Sequence, residues 1–162
     1  MTAPGRVLAR TPEMPPSVAR LTPGAAIDRL KANDPTLTSV DLSNNAVLQM
    51  KPALWPQIAE ALASNNVCTD LNLSSCGMND SAAEYLSSAI RENSTLTSLN
   101  VEANSIGNDG AIAFARALTV NRGVTVLNLM GQKGARYGDT TLEAFLTMFD
   151  TNVTLLNTVE GN

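Results

Sequence analysis

The chain has 162 residues, 44% of them hydrophobic, 16% charged and 4% aromatic, so it is long enough to bury one core built on Leu, Val, Ile and Ala. Its formal charge of −4 argues against nucleic acid, whose phosphates need clustered Lys and Arg, and against a polybasic membrane-surface role. The absence of His removes the commonest general base, the Ser–His and Cys–His dyads and the main imidazole metal ligand, while Cys68 and Cys76 stand in no metal-ligand spacing. No phosphate-binding glycine loop occurs, and no apolar run is long enough to span a bilayer. No enzyme, cofactor or metal site is therefore expected, and neither nucleic acid nor membrane is expected as a partner.

Residues 1–22 carry Pro4, Pro12, Pro15 and Pro16 with Arg6, Arg10 and Arg20, and Glu13 alone is acidic. This composition reads as a disordered Pro-rich tail or as an Arg-rich transit segment, although the prolines spoil an amphipathic helix. Residues 23–162 form the expected folded domain. It opens with a helical segment at 25–32 that closes the N-terminal end.

A short pattern, Asn-x-x-Leu-x-x-Leu-x-Leu-x-x-Asn, then recurs. Its first copy is Asp34, Leu37, Val40, Leu42 and Asn45, and its second Asn65, Cys68, Leu71, Leu73 and Cys76. The third is Asn93, Leu96, Leu99, Val101 and Asn104, and the fourth Asn121, Val124, Leu127, Leu129 and Gln132. A fifth begins at Asn152 and Leu155 and decays, with Thr158 and Glu160 where apolar residues are expected. The first apolar positions, 37, 68, 96, 124 and 155, step by 31, 28, 28 and 31. Such phase-keeping is the signature of leucine-rich repeats.

Within each copy, strict alternation predicts a half-buried strand, and the closing Asn or Cys is placed to bond backbone groups that the turn leaves unpaired. Cys68 and Cys76 both read as core thiols. Between strands the spacing becomes helical. One face holds Ala83, Leu86, Ala89 and Ile90, the next Ala111, Phe114, Ala117 and Leu118, and the last Leu142, Phe145, Leu146 and Phe149. Asp80, and Asn108 or Asp109, are suitable residues to start two of these helices.

The predicted fold is an α/β right-handed solenoid, a horseshoe segment of about five repeats with a parallel concave sheet and outer helices. Two insertions fall after strands on one rim. Residues 46–56 include Met50, Pro52, Trp55 and Pro56, and residues 132–137 include Lys133, Gly134, Arg136 and Tyr137. Trp55 reads either as a rim anchor or as packing under a Pro-bounded insertion. Lys133, Arg136 and Tyr137 make a basic and aromatic tip that either contacts a partner or is solvated.

On the concave face the outward positions are Ser39, Asp41, Ser43, Asp70, Asn72, Ser74, Ser98, Asn100, Glu102, Val126, Asn128 and Met130. This surface reads either as a polar docking face or as a solvated sheet, since interface hot spots usually need Trp, Tyr or Arg. The candidate partner-binding residues are Asp41, Asp70, Asn72, Asn100, Glu102, Asn128, Met130, Lys133, Arg136 and Tyr137. Four sequons, at Asn72, Asn79, Asn93 and Asn152, match glycosylation spacing and are expected to be idle.

The stretch NSTLTSLNVEANSIGNDGAIAFARAL, residues 93–118, resembles the leucine-rich repeats of tropomodulin and leiomodin. The Gly-bearing insertion after the fourth strand and the Asn-Val-Thr-Leu-Leu that follows a helix fit the same resemblance. It implies a cytoplasmic, cytoskeletal protein-binding module that binds actin. With only about 22 Pro-rich residues before the repeats, tropomyosin binding is not implied. The alternative is a generic repeat scaffold that recruits a non-actin signalling or cytoskeletal protein.

Overall fold

The structure is a computed structural model that describes residues 21–152, 155 and 157–159. Most of the expected tail, and the side chains of Thr158 and Glu160, lie outside the described residues. The first helix, α1 (Pro23–Lys31), starts where Thr22 Oγ1 accepts from the Ala25 N–H and Pro23 supplies a preset φ. Arg29 and the Thr36 hydroxyl and N–H converge on the Asp34 carboxylate in the turn that follows, and these bonds, led by Thr36, hold its pKa at about 2.

Five three-residue strands follow: β1 (Ser39–Asp41), β2 (Asp70–Asn72), β3 (Ser98–Asn100), β4 (Val126–Asn128) and β5 (Asn157–Val159). They pair in parallel and in sequence order. Their register aligns Val40, Leu71, Leu99, Leu127 and Thr158, which preserves the steps of 31, 28, 28 and 31. In the first four strands the central residue is buried and its neighbours face outward, as period-two side-chain alternation requires.

After β1 the chain forms α2 (Ala46–Met50) and α3 (Leu54–Ala63), so the first insertion is largely helical. Its tryptophan, Trp55, is buried in the core. The remaining helices are α4 (Asp80–Glu92), α5 (Asn108–Val120) and α6 (Asp139–Thr151). Helix α1 packs on α3, α3 on α4, α4 on α5 and α5 on α6, in one layer beside the sheet. The core between the layers rests on aliphatic side chains with Met78 and Phe114, and both Cys68 and Cys76 are buried within it.

Asparagines tie successive units together. Asn65, Asn93, Asn121 and Asn152 are all buried. Asn93 Oδ1 accepts from the Thr95 and Leu96 N–H groups at 2.8 and 2.7 Å, while its Nδ2 donates to the Leu62 and Asn65 carbonyls at 2.7 and 2.8 Å. Asn121 repeats this one unit later with Gly123, Val124, Ile90 and Asn93. Sequons at Asn93 and Asn152 are therefore closed to modification in the folded chain.

The residue that ends each pattern is less uniform than the sequence suggests. Asn104 bonds the Cys76 and Met78 N–H groups of the preceding unit, and Gln132 reaches the Ile106 N–H with its longer side chain. Asn45 instead caps α2 through the Val47 and Leu48 N–H groups.

Asp80 and Asn108 start α4 and α5 as expected, each one place after its cap, Asn79 and Gly107. The expected apolar face of α6 is corrected. On α6 the buried side chains are Thr141 and Met148, whereas Leu142, Leu146 and Phe149 are exposed and Phe145 is half-buried. Periodicity identifies an apolar face. Whether a neighbour lies against it is a separate matter.

Candidate protein-binding face

The register sets Asp41, Asn72, Asn100 and Asn128 side by side across four strands. Asp70 lies in the adjoining column with Ser39, Ser98 and Val126. The reason for short oxygen-bearing side chains in the central column is local. Each Oδ1 accepts the N–H two residues on: Asp41 from Ser43, Asn72 from Ser74, Asn100 from Glu102 and Asn128 from Met130, at 2.9–3.1 Å. These Asx turns end the strands and satisfy N–H groups that parallel pairing leaves open.

The column is thus both scaffold and surface. Its backbone-facing oxygens are engaged, and the amide of Asn128 donates to Glu102 Oε2 at 3.1 Å. Asp41 and Asp70 are exposed, while Asn72, Asn100, Glu102, Asn128 and Met130 are partly exposed. These strand-face positions carry three carboxylates, from Asp41, Asp70 and Glu102, and no cation. The described ion pairs, Arg29–Asp34 and Lys31–Glu60, lie elsewhere.

The second insertion leaves the C-terminal end of β4 and is clamped to its neighbours. Lys133 N–H donates to the Asn104 carbonyl at 2.8 Å, and Asn108 Nδ2 donates to the Arg136 carbonyl at 3.3 Å. The Tyr137 hydroxyl donates to the Ile106 carbonyl at 3.3 Å, and its partial burial pushes its pKa up, with Asp80 adding to the shift. The loop is therefore fixed by its backbone and by Tyr137, while the side chains of Lys133 and Arg136 remain exposed beyond the acidic strand positions.

Sequence reasoning missed two features of this surface. Thr69, Thr97 and Thr125 form a hydroxyl ladder at the strand entries, each Oγ1 donating to the threonine carbonyl one unit back at 3.0–3.3 Å. The recurrence of Thr at that step was visible in the sequence. Val47 and Met50 also project from α2 on the rim shared with the second insertion, Met50 with 80% of its surface exposed. Its place in the first insertion was legible, but its direction depended on the helical turn capped by Asn45.

Among the described residues no cluster of three or more His, Cys, Asp or Glu could hold a metal ion, and no helix is long and apolar enough to cross a membrane. Burial pushes the Cys68 thiol up to about 11 and raises the Cys76 thiol, which suits packing more than nucleophilic attack.

The sequence profile of the TMOD/LMOD leucine-rich domain matches residues 21–159. The solved structure of leiomodin-1 actin-binding site 2 is similar at 30% sequence identity and a TM-score of 0.75, over 81% of this chain and 74% of that one. The C-terminal domain of a Caenorhabditis elegans tropomodulin superposes with a TM-score of 0.79 over 88% of this chain and 84% of that one. Its 20% identity makes that a likeness of fold. Comparison with curated protein sequences finds no significant match.

Proposed function

The chain belongs to the tropomodulin and leiomodin leucine-rich-repeat family, and from that premise we propose that it is a non-catalytic cytoskeletal module whose partner is actin. The observation that carries the reading is the 30% identity to leiomodin-1 actin-binding site 2 across 81% of this chain. In this reading residues 23–162 form five repeats bent into a right-handed horseshoe segment, preceded by a tail over 1–22. The polar strand positions line its concave side. Actin meets Asp41, Asp70, Asn72, Asn100, Glu102, Asn128 and Met130 there, and Lys133, Arg136 and Tyr137 at the rim. The compartment is the cytoplasm.

The chemistry of the face supports a protein partner. Short, turn-locked side chains present amides and carboxylates with little conformational freedom left to lose, which reduces the entropic cost of association. A mixed acidic centre and basic rim favours a partner of complementary pattern and sets orientation more than raw affinity.

Sedimentation of the full chain with filamentous actin tests this. Saturable co-pelleting at roughly tens of micromolar or tighter is expected. No pelleting in that range, with native-source purification dominated by other proteins, would reassign the module to a non-actin partner.

A further inference from the structure

Charge changes sign where the strands end. The strand positions carry the carboxylates of Asp41, Asp70 and Glu102 and no cation. The turns that leave the strands have the opposite character: residues 44–50, 75–79, 103–107 and 131–138 contain Lys133 and Arg136 and no Asp or Glu. Lys51, the C-cap residue of α2, adds a third positive charge. These turns form one continuous rim because each bonds its neighbour. The Asn44 N–H donates to the Ser74 carbonyl, Ser75 to Glu102, Ser105 to Met78 and Lys133 to Asn104, at 2.8–2.9 Å.

The three cations are exposed, and none joins a described ion pair. In a chain of formal charge −4 the rim is thus locally positive. The acids that follow it in sequence do not neutralise it. Asp80 is engaged by the Gly107 and Gly110 N–H groups, and Asp109 and Asp139 stand in the first turns of α5 and α6.

Helix α2 gives the same rim an apolar part. It is held from several sides. Asn45 Oδ1 accepts the Val47 and Leu48 N–H groups at 3.0 and 3.3 Å, and Leu48 is buried in the core. Gln49 Nε2 donates to the Ser75 carbonyl at 3.0 Å. Gly77 leaves room for this contact, since its φ is +74° and a Cβ there would lie 3.0 Å from Gln49 Cγ. With these positions fixed, Val47 and Met50 are left 43% and 80% exposed.

Both insertions are internal to the stack. Helix α2 leans on the second unit through Ser75. The loop at 132–137 leans on the third, where Gln132 Oε1 accepts the Ile106 N–H and the Tyr137 hydroxyl donates to the Ile106 carbonyl. Neighbouring strands lie about 5 Å apart, so five extended residues, about 17 Å long, reach from one insertion to the other.

We propose that this rim takes an acidic segment of the actin partner that carries one large apolar side chain. Its carboxylates meet Lys133 and Arg136, and its apolar side chain covers Met50 and Val47. A segment that is only acidic or only apolar satisfies half of the rim. The unbranched thioether of Met50 adapts to the shape it meets. Residues 1–22 are a poor occupant, because Arg6, Arg10 and Arg20 against Glu13 give them the same sign as the rim. This rests on the reading of actin as the partner and adds the chemistry that the rim recognises.

Co-sedimentation of the full chain with filamentous actin tests it through variants that leave the strand face intact. Met50→Glu removes the apolar contact and opposes the acidic segment, so affinity should fall at least about tenfold. Met50→Leu should stay within about twofold of the parent, as should Tyr85→Ala on α4. Because Met50 is so exposed, circular dichroism and the urea midpoint of Met50→Glu should match the parent. Carbodiimide coupling, which joins a lysine amine to a carboxylate in direct contact, should link Lys133 or Lys51 to an Asp or Glu of actin. Parent binding that a folded Met50→Glu variant retains overturns the rim assignment and leaves actin as the partner. So do links formed only through the chain's own carboxylates. No binding by the parent removes the actin reading and the rim assignment together. Light scattering that shows a dimer which Met50→Glu dissociates also overturns it, since the rim would then meet the acidic face of a second copy.

Discussion

Asn93 illustrates how much one side chain can carry in this fold. It is 3% exposed and fills four hydrogen-bonding roles across two units. Asn93→Ala would leave the buried Leu96 N–H, the part-buried Thr95 N–H and two buried carbonyls without these partners. Each such loss costs about 1–3 kcal/mol, and partial relaxation sets the expected total at about 3–5 kcal/mol. Asn72→Ala removes one Asx bond on a partly exposed face and should cost about 0.5–1 kcal/mol. Urea unfolding monitored by circular dichroism compares the two, and equal losses would contradict the distinction between buried tie and surface turn. The asparagine positions were legible from the sequence because they recur in phase. Their acceptor partners were not, because Leu62 and Asn65 belong to the preceding unit and follow from how units stack.

Helices in this fold are capped by their neighbours as well as by themselves. Gly107 offers α5 no side-chain acceptor, and Asp80 of α4 fills that role for two N–H groups. Asp80→Ala should therefore destabilise the chain by about 2–3 kcal/mol, the range for charge-assisted bonds, although Ala is the better helix former. Gly110→Ala is the complementary test. Helix propensity alone favours Ala by about 1 kcal/mol, but the new methyl would meet Asp80 Oδ1, Ile106 Cγ2 and Ala83 Cβ at 2.7–2.9 Å. Overpacking should win and lower stability by about 1–3 kcal/mol net. Thermal melts of both variants decide the matter, and a stabilised Gly110→Ala would show that α4 and α5 separate easily. Helix existence could be read from apolar spacing on α4, α5 and α6 alike. The capping logic could not, since Asp80 looks like a cap for its own helix until Asn79 is seen to hold that place by accepting the Ala82 N–H. Likewise Leu142, Leu146 and Phe149 carry the same spacing as a buried face, and only the fold shows that no described helix covers them.

At the scale of the whole molecule, parallel order and constant register turn a one-dimensional repeat into columns of like side chains. That is why the columns of the strand face could be drawn from sequence, whereas the rim could not: Val47 and Met50 depend on how α2 leaves β1. The columns also set up a test of which surface meets the proposed actin partner. Asp70 and Glu102 are charged positions of the strand face, and Lys133 and Arg136 are the exposed cations of the rim. Replacing each pair with alanine changes charge without removing an Asx-turn acceptor of Asp41, Asn72, Asn100 or Asn128, so the unfolding free energy from urea titration should change by no more than about 0.5 kcal/mol per site. If both surfaces engage one filament, each double variant should lower affinity by about threefold to tenfold in co-sedimentation, and the loss should shrink as salt is raised. A full loss from the rim pair with none from the strand pair would confine the interface to the rim. The Asx-turned column would then be left as the means by which the chain ends its strands.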